Sequence, residues 1–139
     1  MRSRLRVGVL AATAAGALAL TAAPASAVTT PWQRPPSLGF THCELGKSHA
    51  AFPEVKLSRC VTSGGGSVRA VVEVFNRSGS PVTVSAQVRT AWGSNADCAV
   101  ATFAPGAGHS CPGAVVDHDP SPKPLPRGTF TVNGITDHY

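Results

Sequence analysis

Between Ser67 and Trp92 the chain reads SVRAVVEVFNRSGSPVTVSAQVRTAW. Val82, Val84, Ala86 and Val88 alternate with Thr83, Ser85, Gln87 and Arg89. That period of two, apolar then polar, is the pattern of a half-buried β-strand. Upstream, Val68, Ala70, Val72 and Val74 form an apolar set, with Arg69, Val71, Glu73 and Phe75 facing the other way. Asn76 to Ser80 is a run of turn formers, and Pro81 stands where a strand tolerates a missing N–H. The pattern predicts a central hairpin in which Phe75 lies opposite Pro81. Val74 then faces Val82, Val72 faces Val84, Ala70 faces Ala86 and Val68 faces Val88. A slip of one residue would set apolar positions against polar ones. A lone hairpin is marginal in water, so this one needs a second layer over its valines.

The front of the chain bounds its compartment. Arg2, Arg4 and Arg6 precede an apolar run from Val7 to Ala23, and Ala25-Ser26-Ala27 has the small-residue pattern of a cleavage site. Residues 1–27 therefore read as a secretory signal peptide. Its removal takes three arginines and lowers the formal charge from +5 to +2. No basic stripe remains to suggest a nucleic-acid partner. With no cysteine at the cleavage site and no second apolar span, we expect a secreted, extracellular protein without a stable membrane anchor. Leu125-Pro126-Arg127-Gly128-Thr129 departs from a cell-wall sorting signal in its Gly-Thr order.

Four cysteines in an exported chain read as disulfides, and four allow three pairings. The spacing favours two local bridges, Cys43–Cys60 and Cys98–Cys111, before and after the valine stretch. A closed loop of about 15 residues contributes roughly 3 kcal/mol on the loop-entropy model. No C-x-x-C spacing supports a cysteine-held metal.

The rest reads as one domain. Residues 28–37, with Pro31, Pro35, Pro36 and Trp32, are expected to be an extended, flexible arm. Residues 38–139 form the single domain. Within it, Leu38–Leu45 and Glu54–Thr62 read as strands, and Ser63-Gly64-Gly65-Gly66 as a turn connector. Cys98–Phe103 is a further strand. Ala104-Pro105-Gly106-Ala107-Gly108 has the Pro-Gly order of a type II turn. Pro120, Pro122, Pro124 and Pro126 stiffen a connector. Gly128–Thr136 is a last strand, with Gly134 as a bulge or close approach. These short, turn-bounded strands without an amphipathic helix indicate an all-β fold, an antiparallel immunoglobulin-like β-sandwich of about six or seven strands.

VVEVFNRSGSPVTVSAQV, then FAPGAGHSC and PLPRGTFTVNG, resemble the small immunoglobulin-like domains of secreted actinobacterial proteins across residues 55–136. The resemblance implies a sandwich. Local cysteine pairs depart from antibody domains, whose disulfide joins the two sheets, and no cysteine is expected at that core position. The chain also resembles the small secreted α-amylase inhibitors of actinobacteria in its two disulfides and its Ala-Pro-Gly turn. It lacks their Trp-Arg-Tyr triplet, and Arg89-Thr90-Ala91-Trp92 is a different arrangement.

Catalytic chemistry finds little footing. There is no G-x-S-x-G, and no cysteine is left once both bridges form. His42, His49, His109, His118 and His138 are scattered. Asp117-His118-Asp119 and Asp137-His138 set neighbours on opposite strand faces. We therefore expect no metal, no cofactor and no enzyme. Asn76-Arg77-Ser78 matches a glycosylation acceptor and reads here as turn chemistry. The expected function is a non-enzymatic binding module for an extracellular or cell-envelope macromolecule, with Trp92, Lys47 and Phe52 as candidate contacts. The alternative is a secreted inhibitor of an extracellular hydrolase, inserting the loop between Cys43 and Cys60.

Overall fold

The computed structural model describes residues 29–35, 40–117 and 121–139. The signal peptide expected over residues 1–27, and the expectations for Pro36, Leu38, His118, Asp119 and Pro120, lie outside the described residues. Ten strands occur among the described residues: β1 (Thr29–Thr30), β2 (Phe40–Ser48), β3 (Val55–Gly64), β4 (Ser67–Asn76), β5 (Val82–Val88), β6 (Ala96–Phe103), β7 (Gly108–Pro112), β8 (Val116–Asp117), β9 (Thr129–Val132) and β10 (Ile135–His138). Sheet I has the order β1-β6-β5-β9-β10, and sheet II the order β2-β3-β4-β7, with β8 also on β4.

The fold is thus all-β with two sheets, and the strand count exceeds the expected six or seven. Part of the excess is β9 and β10, expected as one strand. Asn133 and Gly134 both take positive φ, 47° and 81°, and Val132 pairs with Ile135. That is a two-residue hairpin turn, which an Asn-Gly pair favours. Sheet I is mixed rather than antiparallel, because β1 runs parallel to β6.

The predicted central hairpin is not formed. β4 pairs with β3 and β7, while β5 pairs with β6 and β9. Val84 lies opposite Ala101 and Val132, not Val72. The true hairpin is β3–β4, registered from Val55↔Asn76 to Gly64↔Ser67 around Gly65 and Gly66, whose φ values are 59° and 78°. The apolar alternation nevertheless points inward on both strands. Ala70, Val72 and Val74 of β4 meet Val82, Val84 and Val88 of β5 in one buried cluster between the sheets. Full burial of such a side chain contributes about 1.5–3 kcal/mol, whichever strand is its neighbour.

Asn76 makes the crossing from sheet II to sheet I. It is fully buried. Its Nδ2 donates to the carbonyls of Ser80 at 2.8 Å, Phe103 at 3.0 Å and Ala104 at 3.2 Å. Its Oδ1 accepts from the Ser78 N–H at 3.0 Å and from the Ser78 hydroxyl at 2.6 Å. One side chain thereby fixes the Asn76–Pro81 turn against the Ala104–Ala107 turn. In the latter the Ala107 N–H donates to Ala104 at 3.0 Å and Gly106 has φ 77°.

Both expected disulfides are present. Cys43–Cys60 links directly opposed residues of β2 and β3. Cys98–Cys111 joins β6 of sheet I to β7 of sheet II, with Cys98 5% and Cys111 0% exposed. A buried bridge between the sheets was not expected. Local in sequence, it spans the sandwich because the Ala104–Ala107 turn carries the chain from one sheet to the other. Residues 29–35 of the arm are tied to both sheets. β1 adds to β6, and Gln33 and Ser110 exchange two hydrogen bonds of 2.8 Å. Trp32 Nε1 donates to the Ala99 carbonyl at 2.6 Å, and its ring meets Phe103 edge-on at 5.1 Å.

Candidate functional site

The three side chains singled out from the sequence do not come together. Trp92 is half-buried beyond the end of β5, where its Nε1 donates to the Pro124 carbonyl at 3.1 Å. Lys47 is exposed on β2, and its Nζ bonds the His138 carbonyl across the gap to β10. Phe52 is half-buried near the start of β3, its ring 5.4 Å from that of His49. Trp92 and Phe52 both pack against the core cluster.

The loop that carries Phe52 is tightly bonded. His49, 1% exposed, donates from Nε2 to the Ile135 carbonyl at 3.0 Å and accepts at Nδ1 from the Ala51 N–H at 3.1 Å. A carbonyl only accepts and an amide N–H only donates, so the ring is held as its Nε2–H tautomer. The Val55 N–H donates to Phe52 at 2.8 Å, and the Arg77 N–H donates to Glu54 at 3.0 Å. The Asp137 carboxylate accepts from the Ala50 N–H at 2.9 Å. The backbone N–H groups of Ala50 and His138 hold that carboxyl below its usual range.

These bonds set the Phe52 loop beside the Asn76–Pro81 turn and leave an open recess of about 170 Å³ between them. Val55 and Val82 are its buried floor, Phe52 and Pro53 its wall, and Glu54 and Ser78 lie at its rim. Sequence reasoning reached Phe52 but not its partners. Ser78 comes from a turn, and Val82 from the start of the strand after it, whose approach to Glu54 depends on a tertiary hydrogen bond. A wider, polar trough of about 400 Å³ lies on sheet I, lined by Ser85, Gln87, Asp97, Val100, Thr131 and Thr136 among others.

Sheet II holds one polar oddity. Glu73 points away from the valine cluster and is 6% exposed, and its Oε1 has no hydrogen-bond partner. Burial pushes its carboxyl above the usual range. Its cross-strand neighbours are Ser58 and Ser110, and Ser110 spends its hydroxyl on the Arg34 carbonyl at 3.2 Å. Among the described residues no three His, Cys, Asp or Glu side chains gather as a metal would require. Nor is any helix there long and apolar enough to cross a membrane. No protein-family model, no curated protein and no solved structure matches the chain.

Proposed function

We propose that the chain is a secreted, non-enzymatic binding module of immunoglobulin-like layout. It engages an extracellular or cell-envelope macromolecule with the end of the sandwich formed by the Phe52 loop and the Asn76–Pro81 turn. The observation that carries this reading is the recess at that end, open to solvent and walled by a loop fixed by hydrogen bonds. Two packed sheets bridged by a buried disulfide support the layout, and two disulfides fit an oxidising compartment.

In the Cys43–Cys60 loop Phe52 is half-buried against His49 rather than held out as an inserting side chain. That favours a receiving surface over an inserting one. The test is a pull-down with the oxidised protein as bait against the producer's culture fluid and envelope fraction. The reduced, alkylated protein is the control. A partner held by the oxidised form alone is expected, and an empty column would overturn the proposal. Inhibition of secreted proteases or amylases by the same protein would favour the inhibitor reading instead.

A further inference from the structure

We infer that the trough on the outward face of sheet I is a second binding site, which takes a neutral sugar unit of a polysaccharide. It shares no lining residue with the recess beside Phe52 and does not depend on what binds there.

Register decides which side chains the trough presents. Val84, Ala86, Phe130 and Val132 are buried between the sheets, so the pleat turns Ser85, Gln87, Thr129 and Thr131 outward. Ala96 and Cys98 are buried likewise and turn Asp97 to the same face. Ser85 pairs with Thr131, Gln87 with Asp97, and Thr131 with Thr136. Two hydrogen bonds confirm the shared face. The Thr131 and Thr136 hydroxyls meet at 2.8 Å, and the Thr129 hydroxyl donates to the Gln87 side-chain oxygen at 3.3 Å. Between Val84 and Ala86 the register with β6 shifts, setting Ala99 and Val100 opposite Ser85 alone. Such a bulge re-aims a side chain, and here Val100 stands 73% exposed at the trough.

The lining mixes hydroxyl, amide and carboxylate groups with methyl groups, and neither kind prevails. Its one charged side chain, Asp97, is answered at Oδ1 by the Arg89 guanidinium, so nothing there selects an ion. An apolar ligand would strip water from the polar groups without replacing it. A peptide strand would find no free backbone, since β6, β5 and β9 each have neighbours on both sides. A sugar ring matches both halves of the lining, with hydroxyls for the polar groups and a C–H face for Val100 and the threonine methyls. Partners for those hydroxyls are unspent. Among the described residues the Ser85 hydroxyl, the Gln87 amide nitrogen and Asp97 Oδ2 make no hydrogen bond. Together they offer donors and acceptors. At about 400 Å³ the trough falls in the roughly 300–1,000 Å³ range of small-molecule sites. Its groups stand on paired strands, so little is left to be ordered on binding.

The experiment is a chemical-shift titration of the oxidised protein with maltotriose, cellotriose, mannotriose and tri-N-acetylchitotriose. Cyclohexanol, a ring with a single hydroxyl, is the control. At least one sugar is expected to move the amide resonances of Ser85, Gln87 and Thr131 with millimolar affinity, leaving Phe52 and Ser78 in place. Gln87→Ala and Ser85→Ala should each weaken that binding about fivefold, the effect of one neutral hydrogen bond. Thr102→Ala, exposed on β6 outside the trough, should bind as the wild type does. A loss in either trough variant, with Thr102→Ala unaffected, supports the site. Silence from every sugar, or the same shifts with cyclohexanol, would overturn it. So would unchanged affinity in both trough variants, or an equal loss in Thr102→Ala.

Discussion

The sandwich closes along two flanks that are held by different means. On the β6–β7 flank a buried disulfide joins the sheets, Trp32 packs on Phe103, and the arm pairs with both β6 and β7. On the β2–β10 flank no bond is covalent. Lys47 reaches the His138 carbonyl, His49 the Ile135 carbonyl, and the Ala50 N–H the Asp137 carboxylate. The Cys43–Cys60 bridge lies beside this flank but ties β2 to β3, within one sheet. A crosslink between sheets limits how far they separate, whereas one within a sheet leaves the seam to side chains. The binding end proposed above is built on the second, non-covalent flank.

Breaking the covalent flank should have the largest effect. Replacing Cys98 and Cys111 together by alanine is expected to cost about 3–5 kcal/mol in denaturant unfolding. The Cys43/Cys60 double variant, with a similar loop length, should cost less because Cys43 is only half-buried. Equal costs would erase the distinction between the bridges. On the other flank His49→Ala removes a buried ring and unpairs two backbone groups. We expect a loss of about 2–4 kcal/mol, with faster hydrogen exchange at the β10 amides and little change in β6. Uniform exchange would show that the flanks open together.

Trp32→Phe keeps a ring against Phe103 and deletes the bond to Ala99, for an expected loss of about 1 kcal/mol by thermal melting. The smallest effect belongs to Asp137. Its carboxyl is held below the ordinary 3.8 in the folded chain. Its contribution is therefore present above that value and lost as pH falls through the lower folded one. Melting curves between neutral and strongly acid pH should show a slope that Asp137→Asn flattens, with a neutral-pH cost below about 1 kcal/mol.

The sequence showed which side chains face inward and was silent on which strands pair. The alternation at Val82, Val84, Ala86 and Val88 fixes a buried face, and all four are buried. A period of two is equally satisfied by a neighbour in the same sheet or by a layer across the core. The Asn76–Pro81 turn therefore read as a hairpin although it changes sheets. Cysteine spacing gave both bridges, but whether a local bridge lies within a sheet or between sheets depends on that same change. Asn133-Gly134 was legible in principle, since consecutive positive φ values suit this pair. β-favouring residues on both sides hid it as one strand. The recess was not legible, because Glu54 and Ser78 are brought together only by the finished fold.

The buried amide of Asn76 bears on how this protein can be produced. Asn76-Arg77-Ser78 is an acceptor sequence for N-linked glycans. In a eukaryotic secretory host the sugar is added while the chain is still unfolded. A glycan on Nδ2 has no room among the Ser80, Phe103 and Ala104 carbonyls that this nitrogen must reach. Every chain so modified would be barred from the crossing that joins the two sheets, and yeast or mammalian cultures would divide their yield between bare, folded molecules and sugar-bearing, misfolded ones.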